Sequence, residues 1–406
     1  MNTTPDFSIH ELIENDGLTT VLQPLISMNR KGLIGFEALT RAIHPRTGDN
    51  IPPFTLFNMC EDLETLTRLD RACRKKAFET FAPISKTDRS LLLSVNIDAA
   101  IINEETFNYG LTGKMAAQCG IPASNIILEI IESKAGSDAA LTSFVGKSRE
   151  HGFLIALDDV GTGHSNLDRI PSLEPDIIKI DRSLITDINE KFYNLEVTRS
   201  LISLAERTGS LPLAEGIETV EEALTLMTLG VDVFQGFYFG KPMPAAIAVT
   251  PDTTPIKYLA SRFKTHILEK LNRQKIMENS YKRMAGKLRE ALMDGTPGTA
   301  DSALSAFITE NTGIECAYIL DTNGSQISET ICNPYKLKEN RRLIYQPAPL
   351  GADHSLKEYY LIIKSGNQWH TTAPYISLAS GNNCVTVSTK LYDTPKSPIL
   401  CIDIST

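Results

Sequence analysis

Three absences narrow the field before any motif is considered. The 406-residue chain has no run of about 18 apolar residues, so no membrane-spanning helix is expected. It carries no block of about five or six like charges, and its net charge is −9. Both features argue against a long nucleic-acid polymer as partner, while a small nucleotide stays open because a metal can supply positive charge locally. Its seven cysteines, Cys60, Cys73, Cys119, Cys316, Cys332, Cys384 and Cys401, are odd in number and contain no CxxC pair. That pattern points to reduced, mostly buried thiols in a cytoplasmic protein rather than a disulfide frame or a zinc site. The stretch from Met1 to Gly17 is polar and acidic, unlike a signal peptide.

What is present suits a soluble globular protein too long for one ordinary core, so about two domains are expected. From about residue 18 to 250, strand-like and helix-like segments alternate. Strands are expected at Thr19–Ile26, Leu33–Arg41, Leu91–Ile97, Ile126–Glu132, Phe153–Val160, Asp176–Ile180, Leu211–Ile217 and Val231–Tyr238. Helical patterns fall between most of them, at Leu63–Phe81, Glu104–Ala117, Ala139–Glu150, Tyr193–Thr208 and Val220–Leu229. The turn Met28-Asn-Arg-Lys-Gly32 reads as a hairpin, so the first two strands are expected to pair antiparallel. Eight strands with interleaved helices favour a (β/α)₈, TIM-like barrel of the α/β class over an open sheet.

The barrel occupies 1–250. A long amphipathic helix follows over 255–295, either packed on the barrel or acting as a connector or dimer contact. A small α+β domain spans 299–406, with a turn at Thr322-Asn-Gly324 and strands near Cys316–Asp321, Gln326–Ile331, Leu343–Gln346, His370–Ile376, Asn383–Lys390 and Ile399–Ile404.

The central stretch is Phe153-Leu-Ile-Ala-Leu-Asp158-Asp159-Val-Gly-Thr-Gly-His-Ser165, an apolar buried strand surfacing into two carboxylates and a glycine-rich turn. Alone, the Asp pair fits a helix cap as well as a metal site. Barrel chemistry gathers where strands end. Those ends bring Glu37 and Arg41, Asn96, Glu129 and Glu132, Asp158 and Asp159, Lys179 and Asp181, Glu215 and Glu218, and Gln235 to one rim. Singly, such residues are most often salt-bridge partners, caps or solvated charges. Gathered at one mouth, the acids would repel one another unless a cation held them. An all-oxygen donor set without Cys or His selects Mg²⁺ or Mn²⁺, and its size suits two ions. Lys179 could take a proton from the attacking water or hold the hydroxide, and Arg41 could contact a phosphate.

Glu37-Ala38-Leu39 with Arg41 resembles the signature of the EAL family of bacterial cyclic di-GMP phosphodiesterases. The resemblance spans about 18–250 and includes Gln23-Pro24, Ser94-Val-Asn96, Glu129-x-x-Glu132, Asp158-Asp159-x-Gly-Thr-Gly-x-Ser, Asp176-x-x-Lys179-x-Asp181, Ala214-Glu215-Gly-x-Glu218-Thr and Gln235-Gly-Phe-x-Phe-Gly-x-Pro242. It implies a (β/α)₈ barrel with the second strand inverted, and hydrolysis of cyclic di-GMP to linear pGpG. Glu37, Asn96, Glu129 and Asp158 match ligands of a first metal, with Asp158 bridging, and Asp159 and Glu215 match ligands of a second. Lys179 matches the catalytic lysine, and Gln235 the glutamine that places the attacking water. Glu132 matches the acid that anchors the loop after the fifth strand. Gln23, Leu39, Arg41, Asp181, Glu218 and the segment from Phe237 to Pro242 match substrate-binding positions.

Ile131, Val160 and His164 replace the family's usual Thr, Phe and Tyr without removing a ligand. Some family members only bind the dinucleotide, so a silent receptor signalling to a protein partner is the alternative. The 299–406 region resembles, more weakly, a PAS/Cache-like domain, through Tyr345-Gln346-Pro347, Ala373-Pro374-Tyr375 and Leu400-Cys-Ile-Asp403. Such a domain would bind a small-molecule ligand or support a homodimer. Trp369 and Tyr375 could line its pocket or simply pack the core.

Overall fold

The computed structural model describes residues 7–102, 109–131, 138–161, 167–248, 252–293, 300–337 and 346–405. The chain divides into two compact units, Met1–Ile267 and Leu268–Thr406.

The first unit is built on nine strands: β1 Leu18–Ser27, β2 Gly32–Ile43, β3 Asn50–Ile51, β4 Leu92–Asp98, β5 Ile126–Ile131, β6 Leu154–Val160, β7 Ile177–Ile180, β8 Leu211–Ala214 and β9 Val233–Phe234. β1 pairs with both β2 and β9, which closes eight strands into a barrel, while the two-residue β3 adds to the outer edge of β2. All neighbours from β2 round to β9 are parallel, and β1 is antiparallel to both of its neighbours. The inverted strand is therefore the first, not the second. The initial hairpin reverses the chain once, and from β4 onward each connection carries it back to start a parallel strand.

Helices lie where the 3.6-residue patterns place them, with ends set by local chemistry. Leu63–Thr87 begins where the Asp62 carboxylate accepts from the Thr65 amide at 2.7 Å, and it runs on through Pro83 past the expected end. Val220–Leu229 opens on a reciprocal capping box between Thr219 and Glu222 and closes at Gly230, whose φ is +108°. Tyr109–Gln118 is the described part of the helix expected from Glu104. β9 is much shorter than the expected Val231–Tyr238. After Phe234 the chain turns inward, and Ile217 and Tyr238 bond to each other's neighbourhood through the Gln235 carbonyl and the Ile217 carbonyl instead of extending a ladder.

Two apolar layers result. One lies between strands and helices and includes Phe36, Phe78, Phe81, Phe144 and Phe234. The other fills the barrel and is formed by Leu25, Ile34, Ile127, Ala156, Ile177, Leu213 and Val233. Lateral to the barrel, Arg74 lies 2.5 Å from the Asp70 carboxylate in a fully buried pair on the helix Leu63–Thr87. Burial pushes the Asp70 carboxyl up to about 6 despite that guanidinium.

The helix Thr254–Met293 is one continuous element that begins in the first unit, where Ile256 and Leu259 are buried. In the second unit, its residues Ala285 and Leu288 join Leu304 and Ile308 of the helix Ala300–Glu310. They cover one face of a sheet made of β10 Ile314–Leu320, β11 Ile331–Cys332, β12 Trp369–Thr371, β13 Tyr375–Ile376, β14 Asn383–Lys390 and β15 Ile399–Ser405. The order is β11-β10-β15-β14-β12, with β13 also on β14. The helix Glu358–Lys364 lies on the other face. The strand expected over His370–Ile376 is broken at Ala373-Pro374, where proline cannot donate to the ladder. Most of Leu343–Gln346 lies outside the described residues.

One expectation fails here. Cys316 and Cys332 lie opposite one another across the β10–β11 ladder and form a disulfide. Sequence spacing could not reveal the pair, because it depends on antiparallel register rather than on a local motif. Cys60, Cys73, Cys119, Cys384 and Cys401 stand outside that disulfide. Among the described residues, no helix is long and apolar enough to cross a membrane.

The buried Asp70–Arg74 pair gives a first prediction. Asp70→Ala strands an uncompensated guanidinium and should lower stability by about 3–5 kcal/mol, whereas Asp70→Ala with Arg74→Met should recover much of the loss. Urea unfolding followed by circular dichroism measures both.

Candidate active site

The site is the next layer above the apolar filling of the barrel. Side chains two residues apart on a strand share a face, so Ile127 is followed by Glu129, Ala156 by Asp158 and Ile177 by Lys179. The same two-residue step leads from Leu213 to Glu215 and from Val233 to Gln235, just past the ends of β8 and β9. On the antiparallel β1 the step runs backwards, from Leu25 to Gln23, and Gln23 sits opposite Glu37 in register.

Lys179 stands at the centre and is 1% exposed. Its Nζ lies 2.9 Å from Glu129, 2.9 Å from Asp158, 2.5 Å from Glu215 and 4.0 Å from Glu37. Glu37 is held from two further sides: Asn96 Nδ2 donates to it at 3.0 Å and Gln235 Nε2 at 2.5 Å. Gln235 Nε2 also reaches Gln23 Oε1 at 3.0 Å, and Ser94 donates to Glu129 at 2.5 Å.

Charge balance is the decisive feature. One ammonium faces four carboxylates, an excess of three negative charges when all are ionised. Burial and its acidic neighbours hold the Glu129 carboxyl well above the usual range despite Lys179. Burial pushes Glu215 up to about 8, and burial with the Asp158 charge raises Asp159. For Glu37 burial is overridden by Lys179, Gln235 and Asn96, and its carboxyl is lowered. Burial alone would strip Lys179 of its proton, but the four carboxylates hold its pKa well above the ordinary lysine value. Pushing this pKa down would take neighbouring cations.

The donor set fits a metal. Oxygens of Glu129, Asp158 and Glu215 are buried without a well-directed hydrogen bond, although each lies against Lys179 Nζ, and Gln235 Oε1 is likewise unsatisfied. Ligand oxygens of Asp158, Asp159 and Glu215 lie within 4.8 Å of one another. Adjacent strand residues should point to opposite faces. Asp159 escapes that rule because its backbone is left-handed, with φ +53°, and the β6–β7 register shifts between Leu157 and Val160. This local reset lets both carboxylates reach one point.

The remaining expected residues are distributed around the cluster. Gln23, Glu37, Glu215, Glu218, Gln235 and Phe237 line a cavity of about 210 Å³. Leu39, Arg41 and Asn96 line a separate cavity of about 280 Å³, next to the buried Asp70–Arg74 pair. Arg41 donates to the Thr40 carbonyl at 2.8 Å. Asp181 caps the helix Arg182–Ile185 through the Ser183 amide at 2.8 Å. Glu218 pairs with Arg182 at 2.8 Å, Phe237 is half exposed beneath the Lys241 ammonium, and Pro242 is partly buried. Glu132 lies outside the described residues, as do Thr162, Gly163 and His164 of the loop after Asp159.

Two residues of the site were given no role in the sequence reading. Ser94 lies two before Asn96 on β4, a period-two signal that was available. Arg182 reaches the Gln23–Phe237 cavity only through the packing of the chain after β7.

The model of the EAL domain matches residues 8–242. The chain belongs to the EAL family. A probable cyclic di-GMP phosphodiesterase of Escherichia coli K12, PdeN, is 28% identical over 243 residues, which is 59% of this chain and 46% of that protein. The chain thus matches less than half the length of that EAL relative. The Bacillus subtilis YkuI protein, solved with substrate c-di-GMP and calcium, superposes with a TM-score of 0.80 over 98% of this chain and 99% of that one. At 23% identity that likeness speaks for the fold alone. Klebsiella pneumoniae BlrP1, solved with calcium and cyclic di-GMP, is 25% identical with a TM-score of 0.51, covering 56% of each chain.

A metal titration tests the EAL site. At about a hundredfold excess over its dissociation constant, Mn²⁺ should raise the unfolding free energy of the full chain by roughly 2.7 kcal/mol per ion bound. Asp158→Asn should remove most of that gain, as read by thermal unfolding with and without the ion.

Proposed function

We propose that this chain hydrolyses cyclic di-GMP to linear 5′-pGpG with two divalent cations, Mg²⁺ or Mn²⁺. The observation that carries the reading is the excess of buried carboxylate around the single ammonium of Lys179, with three carboxylate oxygens left poorly satisfied. The names of the E. coli relative and of the K. pneumoniae complex supply the substrate class.

Glu37, Asn96, Glu129 and Asp158 would hold one ion, and Asp158, Asp159 and Glu215 the other. When bound, the ions would supply the positive charge that polarises a phosphate and acidifies water. Once the carboxylates are neutralised, Lys179 loses what holds its proton, and its Nζ can accept one from the attacking water. The water oxygen forms the new bond to phosphorus, the bond to the ribose 3′-oxygen breaks, and that oxygen leaves with a proton. Gln235 orients the attacking water, while Glu37 keeps the Gln235 amide fixed. Gln23, Leu39, Arg41, Asp181, Glu218 and the Phe237–Pro242 segment would bind the dinucleotide, with Glu132 anchoring the loop after β6.

A cytoplasmic location, a homodimer and control by the C-terminal unit through a PAS/Cache-like small-molecule site belong to the same proposal. The unit's two-faced sheet and its cavity support that last element.

Full-length protein with Mg²⁺ and saturating cyclic di-GMP should yield pGpG, identified by chromatography and mass. Intact substrate would sink the enzyme reading and favour the silent receptor. Lys179→Ala should keep dinucleotide binding and lose about 10²–10⁴-fold in kcat. An unchanged kcat would remove the lysine from the reaction.

A further inference from the structure

The C-terminal sheet is apolar on one face and unusually polar on the other. On the apolar face Ala317, Ile319, Val387, Leu400 and Ile402 pack against helices. The opposite face carries the Asp403 carboxylate, 3% exposed, in the middle of β15. Its register partner on β14 is Thr386, which donates to it at 2.8 Å. Tyr375 approaches at 3.5 Å and also contacts the Thr386 hydroxyl at 2.6 Å, and Ser377 supplies a further hydroxyl. Every one of these partners is neutral. Among the described residues no lysine or arginine forms an ion pair with Asp403, and a second buried carboxylate, Glu315, adds to the negative field. Burial pushes the Asp403 carboxyl up to about 7.

A buried carboxylate without a cation is costly, and such groups are normally paired. Here the missing partner has room to enter. Asp403 lines a cavity of about 500 Å³ together with Tyr318, Tyr359 and Tyr375, and the exposed Lys357 of that lining is outnumbered by its exposed carboxylates Asp353 and Glu358. That volume is in the range of small-molecule sites. Aromatic faces favour a cation.

The neighbouring histidine does not provide one. His354 Nε2 meets Gln326 Oε1 at 3.1 Å, and its Nδ1 meets the Tyr359 hydroxyl at 2.7 Å. The Gln326 amide nitrogen is committed to the Ser328 and Ala348 carbonyls and the Thr330 hydroxyl, so Oε1 is left to accept. Nε2 therefore donates, and a neutral ring accepts from Tyr359 at Nδ1. Burial lowers its pKa further from the charged form.

We propose that this cavity binds a small primary amine, its ammonium paired with Asp403 and its short apolar body set among the three tyrosine rings. The proposal rests on the reading of the C-terminal unit as a small-ligand site and names the ligand's class. It draws on no feature of the barrel.

The test is calorimetric titration of the full chain with phenethylamine and with 2-phenylethanol, which has the same body without the charge. A pH near 8 keeps the amine protonated and favours the ionised carboxylate. The amine should bind at one site, and the alcohol should bind at least about tenfold more weakly, the scale of one charge-assisted contact. Asp403→Asn should lose a similar factor. Leu378→Trp, at a half-exposed residue of the cavity lining, should block binding with Asp403 intact, and so covers the case where Asp403→Asn fails to fold. Equal affinity for alcohol and amine would overturn the amine assignment and leave a neutral-ligand site. Undiminished binding by a folded Asp403→Asn or by Leu378→Trp would place the amine elsewhere and overturn it as well. No binding of either probe up to about 10 mM would overturn both the assignment and the ligand-site reading. Cyclic di-GMP cleavage in the same samples reports on the barrel separately.

Discussion

One ammonium buried among four carboxylates is the constraint on which the barrel depends. Lys179 cannot sit at 1% exposure unless acids surround it, and those acids cannot stay ionised around it without more positive charge. Glu37 is the acid best provided for, with Asn96 and Gln235 donating to it. For Glu129 and Glu215 burial and the neighbouring acids outweigh what Lys179 offers, and their carboxyls are raised. The imbalance is a stability cost to the protein alone, and on the function proposed above it becomes a source of affinity for hard cations. The strongest metal argument therefore comes from the electrostatics of the residues themselves, and family membership agrees with it.

Much of this was legible in the sequence because barrels translate strand order into spatial order. Asp158, Lys179 and Glu215 could be gathered at one mouth from their places at the ends of apolar runs, with no coordinates at all. What remained hidden depends on closure and on local departures from ideal strands. Gln23 meets Gln235 only because β1 returns antiparallel between β2 and β9. The left-handed backbone at Asp159 has no sequence signal, since neighbouring carboxylates normally diverge. β9 was over-extended because its apolar residues continue into a turn that packs back on Ile217. The Cys316–Cys332 bond follows from register in a different sheet.

The two units solve the same problem in contrasting ways. The barrel concentrates buried acids around an intrinsic ammonium and holds more acid than base. The C-terminal sheet buries Asp403 against hydroxyls, with no lysine or arginine among the described residues paired to it. Hydroxyls can solvate a carboxylate but cannot neutralise it. In each unit the departure from a well-paired interior falls beside a cavity.

The stacking of the polar layer one pleat above the apolar filling has an evolutionary corollary. Single-residue insertions or deletions within these strands are doubly punished. Losing one residue between Ile127 and Glu129 would bring an acid into the wrong phase and turn an outward isoleucine toward the acidic cluster, damaging filling and site at once. Changes of length should therefore accumulate in the connections, while the strands diverge by substitution alone, and the spacing of the motifs should outlast the identity of the residues between them.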